Sequence, residues 1–192
     1  VLPQKALDLW AHFEKVRIGV SFDGIRDVND YIRYPSRFQV VERNLERLDR
    51  APGSFQVWLA CTISIYNLHH LTDVMSWVHS KNFRRIGKGT RKAFFVPHPV
   101  HQPEHLNIQS LPSELKKTYA SLLREQCRRF METPGLTEAE IARARDITET
   151  YLTFMNARDL SRNWPEFLSY TKALDEIRRQ DHKVLNAPFS AP

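Results

Sequence analysis

Residues 16–33 read VRIGVSFDGIRDVNDYIR, and this stretch sets the fold class of the chain. It opens with β-branched residues at alternate positions, Val16, Ile18 and Val20, a pattern that predicts a strand buried on both faces. The strand ends at Ser21, and the Asp-Gly pair that follows is a turn signal. Polar groups at the carboxyl end of a buried parallel strand lie where α/β proteins bind their ligands.

The chain on either side of this stretch alternates between strand and helix patterns. Apolar spacing predicts helices over residues 6–14, 37–50 and 68–81, the second of them capped by Ser36. Further strands are predicted at residues 55–65, 83–86 and 92–96. Connections of this length favour parallel pairing, and therefore an α/β fold.

The last third of the sequence contains helix patterns and no strand pattern. Three helices are predicted, with start signals at Ser113, at the Thr137–Glu140 capping box, and at Asn163 with Pro165 in the first turn. We therefore divide the chain into an α/β part, residues 1–111, and a helical carboxyl-terminal part, residues 112–192.

Composition limits the classes of protein to which the chain can belong. The 192 residues are 42% hydrophobic, enough for a sizeable core, and no apolar run approaches the roughly 18 residues that span a bilayer. Cys61 and Cys127 are far apart and lie in apolar patterns, which predicts two small core residues and no disulfide framework. The cytoplasm is the expected compartment.

Three segments together resemble a known enzyme family. They are the strand-Ser-x-Asp-Gly stretch that continues to DYIRYPS, the TISIYN string at residues 62–67, and the LNIQSLPSELK string at residues 106–116. In order and spacing they are similar to the carboxyl-terminal half of a radical S-adenosylmethionine protein with a twitch-type extension. The resemblance implies a partial parallel (βα) barrel, of which only the later strands are present, followed by an α-helical carboxyl-terminal region.

The resemblance also implies cofactors, S-adenosylmethionine and a 4Fe-4S cluster, for the intact parent protein. The cluster of this family is held by a C-x-x-x-C-x-x-C loop, and that motif is absent from the sequence. The chain is therefore expected to be a fragment or a degenerate remnant, inactive alone, and no cofactor is certain for it. The expected partner is the missing amino-terminal barrel half, or another chain that covers an open sheet edge, and the chain alone is expected to self-associate. The intact enzyme would act on a peptide or a small molecule.

Four residues match positions that would contact S-adenosylmethionine in this family. Arg33 would hold the carboxylate, Ser21 and Asp23 the ribose hydroxyls or the amino-acid end, and Asn67 would offer its amide at the same edge. Each also has a structural interpretation: a turn for Asp23, a backbone bond for Ser21, a solvated loop for Arg33 and a helix cap for Asn67.

Two other patterns lead to weaker hypotheses. His98, His101 and His105 are close in sequence, but no cysteine or acidic pattern completes a zinc site, and we predict no metal. The net charge of +6 includes basic clusters at residues 84–85, 88–92, 128–129 and 178–179. The alternative function is therefore a non-catalytic α/β module that binds a phosphorylated or nucleic-acid partner, although no nucleic-acid motif accompanies the clusters and nucleic acid is not the expected partner.

Overall fold

The computed structural model describes residues 2–86 and 95–190. Within these ranges the protein is an α/β fold with one three-stranded parallel sheet. The strands are β1 (Val16–Ser21), β2 (Phe55–Ile63) and β3 (Val96–Pro99), in that spatial order. The α-helices are α1 (Gln4–Trp10), α2 (Arg26–Ile32), α3 (Phe38–Arg50), α4 (Leu71–Lys81), α5 (Ser113–Met131), α6 (Glu138–Asn156) and α7 (Trp164–Arg178).

The register of the sheet gives it two faces that differ in burial. Ser21 pairs with Ala60, and Thr62 pairs with His98, so these side chains share one face. We call this the open face; it comprises Arg17, Gly19, Ser21, Gln56, Trp58, Ala60, Thr62, Val96 and His98, all exposed or half-buried. The covered face comprises Val16, Ile18, Val20, Phe55, Val57, Leu59, Cys61, Ile63, Pro97 and Pro99.

The core of the protein is built from the covered face and the helices. The five covered-face residues of β2 are buried in one cluster with Leu45 and Leu48 of α3 and with Val74 and Met75 of α4. Tyr119 and Leu123 of α5 and Ile147 and Tyr151 of α6 extend the same cluster. The helical carboxyl-terminal region therefore shares its core with the α/β part.

The first strand differs from its prediction. β1 alternates half-buried and exposed residues, so it is buried on one face only, not on both. It is also the first strand in the sheet order, and within residues 2–86 and 95–190 no strand pairs with its other side. β1 is incompletely buried because one of its faces is exposed and one of its edges has no partner strand within the described residues.

The predicted strand at residues 83–86 is wrong. Here the backbone N–H groups of Arg84 and Arg85 donate to the carboxylate of Asp49 at the end of α3, each over 2.9 Å, which holds the segment in a bend. The predicted strand at residues 92–96 falls largely on residues outside the described ranges, and β3 begins at Val96. The basic cluster at residues 88–92 also lies outside them.

The predicted helix starts are partly correct. The capping box of α6 is present as expected, with the Thr137 hydroxyl accepting from the Glu140 N–H. Ser36 does not cap α3; the Asp30 carboxylate accepts the Phe38 N–H instead. Neither Ser113 nor Asn163 makes a side-chain cap, although Pro165 does lie in the first turn of α7.

The cysteine prediction is confirmed, because Cys61 and Cys127 are both free and buried. Among the helices of the described ranges, none is long and apolar enough to cross a membrane.

Candidate functional site

The carboxyl ends of β1 and β2 meet at the side chain of Asp23. One carboxylate oxygen, Oδ1, accepts the backbone N–H of Thr62 at the end of β2, over 2.8 Å. The other, Oδ2, accepts Nε of Arg33 over 2.8 Å. Asp23 is 7% exposed, so this carboxylate is buried, paired and fully engaged.

Asn67 joins the same two strand ends. We call the group formed by Asp23, Arg33 and Asn67 at these strand ends the rim. Its amide Nδ2 donates to the carbonyl of Asp23 over 2.8 Å and to the carbonyl of Thr62 over 2.9 Å. Its Oδ1 accepts the N–H of Ser64 over 2.7 Å. Asn67 is 2% exposed, and these bonds occupy its amide, so it holds the rim together and does not reach a ligand.

Arg33 is the rim residue that can reach a ligand. Its Nε is fixed by Asp23, and a third of its side chain is exposed. No acceptor for its two terminal nitrogens occurs among the hydrogen bonds of residues 2–86 and 95–190. The two terminal nitrogens of the Arg33 guanidinium are therefore available as donors to a ligand.

Ser21 lies at the last position of β1, exposed on the open face. Its hydroxyl has no hydrogen-bond partner within the described part of the chain, and it does not contact the Asp23–Arg33 pair by a hydrogen bond. Hydrogen bonds thus join three of the four predicted site residues, Asp23, Arg33 and Asn67. Ser21, two residues before Asp23 at the end of β1, is not part of this network.

The loop after β1 is shaped by Gly24. Its φ of +151° is a conformation that favours glycine, and a Cβ there would lie 2.6 Å from the Val28 side chain. The Asn29 side chain on α2 then accepts the Asp23 N–H over 3.2 Å. The predicted Asp-Gly turn is therefore held against α2 by Asn29. In this position the Asp23 side chain accepts the Thr62 N–H of β2.

A cleft opens beside Asp23, between the strand ends and α7. Its volume is about 130 Å³. Its walls are Asp23, Tyr31, Ile32, Thr62, Ser64, Tyr66, Val100, Leu106, Tyr170, Leu174 and Arg178. Because Thr62 belongs to the open face, the cleft continues that face toward α7.

Two tyrosines of the cleft stay neutral near pH 7. Burial raises the pKa of Tyr66 to about 12, and its hydroxyl lies 2.7 Å from the hydroxyl of Thr171. Burial and the neighbouring Tyr66 raise the pKa of Tyr31 above its usual range, and Tyr31 donates to the Asp175 carboxylate over 2.9 Å. Neither phenol adds negative charge to the cleft.

The α7 residues of the cleft were missed by sequence reasoning. Arg178 belongs to a basic pair that predicts a solvated face, yet its Nη1 donates to the carbonyl of Tyr31 over 3.2 Å. Tyr170 and Leu174 precede Arg178 on α7 at helical spacing and line the same cleft. The spacing i, i+4, i+8 was the available signal, since it places all three on one side of α7.

The three histidines of residues 98–105 do not come together. His98 is exposed on β3, His101 packs against Phe154, and His105 pairs with Glu166 over 2.9 Å. A metal-like grouping occurs elsewhere in the described ranges, at Asp175, Asp181 and His182. Its Asp175 oxygens already accept from Tyr31 and His182, which accounts for the arrangement without an ion.

The residues present do not fit an iron–sulfur cluster. Such a cluster needs several cysteine thiolates, and the chain has two cysteines. Cys61 faces the covered side of the sheet, where burial raises the pKa of its thiol well above the ordinary value and disfavours a thiolate.

The chain has no match among known proteins. No family model matches the chain, and neither a curated protein nor a solved structure matches it. The sheet edge at Asp23 and the cleft beside α7 are therefore the features of the molecule that bear on its function.

Proposed function

We propose that this chain is the carboxyl-terminal part of the catalytic barrel of a radical S-adenosylmethionine enzyme, and that its rim binds part of S-adenosylmethionine. The observation that carries the proposal is the Asp23–Arg33 pair. It fixes a guanidinium at the carboxyl end of a parallel strand, where such folds bind ligands, and leaves the two terminal nitrogens of Arg33 without a hydrogen-bond acceptor among the described residues.

The proposal divides the four predicted residues by role. Arg33 binds the carboxylate of the methionine moiety, and Ser21 donates to a ribose or amino-acid oxygen. Asp23 and Asn67 are positioning residues, because their polar atoms are engaged in joining β1 to β2. A carboxylate bound by two guanidinium donors is among the stronger pairings available to a protein.

The open face supports a partial barrel. In a (βα) barrel the helices lie outside and the opposite sheet face lines the interior. Here the covered face packs on helices, and the open face carries small and polar residues such as Gly19, Ser21 and Thr62. The free edge of β1 is where the earlier strands would pair, so an amino-terminal barrel half or another chain is the proposed partner.

The cluster that would cleave S-adenosylmethionine is assigned to that partner, since the cysteines here do not fit it. A cluster held by that partner would supply the electron for such a cleavage. The residues of this chain would bind and orient the cofactor.

Equilibrium dialysis with labelled S-adenosylmethionine tests the proposal. We expect saturable binding that weakens at least tenfold in Arg33→Ala, the loss expected for a charged hydrogen-bonded pair. Arg37→Ala is the matched control, because Arg37 is mostly exposed and its contact with Asp30 is 3.8 Å long. Unchanged binding in Arg33→Ala would contradict the site, and no binding to wild type would contradict the function.

The alternative, a basic binding module, draws less support from the side-chain contacts. Arg128 pairs with Glu125 and Glu132, and Arg84 donates to the carbonyl of Asp49. Cations engaged in this way are less available for phosphates. Salt-dependent binding to a short oligonucleotide, with no binding of S-adenosylmethionine, would favour the alternative.

A further inference from the structure

The cleft beside α7 contains a cation that no carboxylate neutralises. Among the described residues, Arg178 has no carboxylate oxygen within 4.0 Å. Its recorded contacts are the carbonyl of Tyr31 and the ring of Tyr34, whose centroid lies 5.7 Å from the guanidinium carbon. Neither of these contacts is with a carboxylate.

Two acidic residues near the cleft, Asp23 and Asp175, are already engaged. Asp23, across the cleft, accepts from Arg33 and from the backbone of Thr62. Asp175, one turn earlier on α7, accepts from the Tyr31 hydroxyl and from His182. The charge of Arg178 is therefore left for something that enters the cleft.

The rest of the cleft sets the size and the character of that ligand. Its volume of about 130 Å³ is close to that of engineered cavities that hold a single benzene ring, and far below what an adenosyl group needs. Apolar walls are contributed by Ile32, Val100, Leu106 and Leu174. Thr62 and Tyr170 also line the cleft, whereas the hydroxyls of Tyr31 and Tyr66 are engaged by Asp175 and Thr171.

We propose that this cleft binds a small monocarboxylate with an apolar body, no larger than an aromatic amino acid, and that Arg178 holds its carboxylate. A planar guanidinium binds a carboxylate through parallel hydrogen bonds. The apolar walls take the body of the ligand, as in small-molecule sites generally. This proposal stands apart from S-adenosylmethionine binding, because the cleft is too small for that cofactor and uses a different arginine.

The charge at the cleft favours a monoanion over a phosphate. Arg178 is the last residue of α7, so the carbonyl end of the helix, which is partly negative, lies beside it. One cation next to that helix end balances a single negative charge and not two.

Isothermal titration calorimetry of the whole chain tests the proposal with three probes. Phenylacetate is the monocarboxylate, phenylacetamide is its neutral counterpart of the same shape, and inorganic phosphate is the competing anion. We expect saturable binding of phenylacetate, with phenylacetamide and phosphate each at least tenfold weaker. Equal binding of the amide, stronger binding of phosphate, or no binding of phenylacetate up to 10 mM, about tenfold above a Kd of 1 mM, would overturn the proposal.

Variants locate the site. Arg178→Gln is expected to weaken phenylacetate binding at least tenfold, and Leu174→Trp, which fills the cleft, is expected to abolish it. Arg179→Gln is the matched control, because Arg179 is exposed and its loss changes the net charge equally. Circular dichroism of each variant reports whether it is folded, and Arg178→Lys replaces Arg178→Gln if the latter unfolds. Binding that persists in both cleft variants would overturn the assignment to Arg178.

The two binding proposals fail independently. Arg33→Ala is expected to weaken S-adenosylmethionine binding and to leave phenylacetate binding within twofold. Phenylacetate binding without any S-adenosylmethionine binding would support the cleft and refute the proposed function.

Discussion

The two faces of the sheet differ in burial and in chemistry. On β2, Phe55, Leu59 and Ile63 of the covered face are each less than 10% exposed. The residues between them on the open face include Gln56 and Thr62, which are exposed. One strand thus carries a core on one side and a more polar, exposed surface on the other, and Thr62 of that surface also lines the cleft beside α7.

The difference teaches where stability and function reside. Burial of the apolar face stabilises the fold by removing large side chains from water. The open face contributes less to that burial, because its residues are exposed or half-buried. Substitutions on the two faces should therefore have very different costs.

The largest effect is expected on the covered face. Leu59 is 0% exposed, and Leu59→Ala should lower the free energy of unfolding by about 4 kcal/mol through lost burial and the cavity that remains. Gln56→Ala, on the open face of the same strand, should change it by less than about 0.5 kcal/mol. Urea unfolding measures both, and similar costs would show that the open face is not open in solution.

His69 extends the comparison from the sheet to a buried titratable group. Burial lowers the pKa of His69 to about 4, and its Nε2 lies 2.8 Å from the carbonyl of Leu185. The unfolded chain, with an ordinary histidine pKa near 6.5, takes up a proton before the folded chain does. The free energy of unfolding should therefore fall by about 3 kcal/mol as the pH drops from 6.5 to 4.

The measurement is urea unfolding across that pH range. In His69→Gln, which keeps a side-chain donor, the fall should be smaller by this amount. His12→Gln is the control, since His12 is exposed. A pH dependence that survives unchanged in His69→Gln would show that His69 is not the responsible group.

The rim gives the third effect. Asn67→Ala removes the amide that bonds the carbonyls of Asp23 and Thr62 and the N–H of Ser64, and should cost about 2 kcal/mol. It should also weaken binding at Arg33, because Asp23 would no longer be held in place. Asn156→Ala, an exposed asparagine, serves as the control in the same unfolding experiment. Full stability in Asn67→Ala would refute its positioning role.

The smallest effect tests the open face itself. A Cβ at Gly19 would lie 2.8 Å from Cζ2 of Trp58, so Gly19→Ala must displace the indole and should cost about 1 kcal/mol. In a Trp58→Ala background the same substitution should cost nothing, which a double-mutant cycle measures. An equal cost in both backgrounds would mean that Trp58 does not lie across β1.

Much of the fold could be predicted from the sequence, because local patterns report local structure. The β-branched and aromatic residues of 55–65 predicted β2, which ends at Ile63, and the Thr137–Glu140 pair predicted the start of α6. The wrong strand at residues 83–86 has a tertiary cause. Its apolar ends resemble a strand, but the carboxylate of Asp49, 35 residues earlier, binds the backbone N–H of Arg84.

The candidate site divides in the same way. The Asp-Gly turn after β1 predicted Asp23 at the sheet edge, and the resemblance in sequence pointed to Arg33, whose role as a binding residue stays a prediction. The sequence could not show that the Asp23 carboxylate is consumed by Arg33 and Thr62, because those bonds depend on strand register and on the path of α2. It likewise left Asn67 open as a helix cap, whereas its amide bonds two strand ends.

Sequence by itself determined the strand-helix alternation, the parallel sheet and the polar residues at its carboxyl edge, since apolar period and turn chemistry are properties of neighbours along the chain. Only the tertiary structure decided which face of β1 is exposed and that α7 brings Arg178 to the cleft. Residue 178 lies 147 positions from its partner Tyr31, and no local pattern encodes a contact that the packing of the whole core creates.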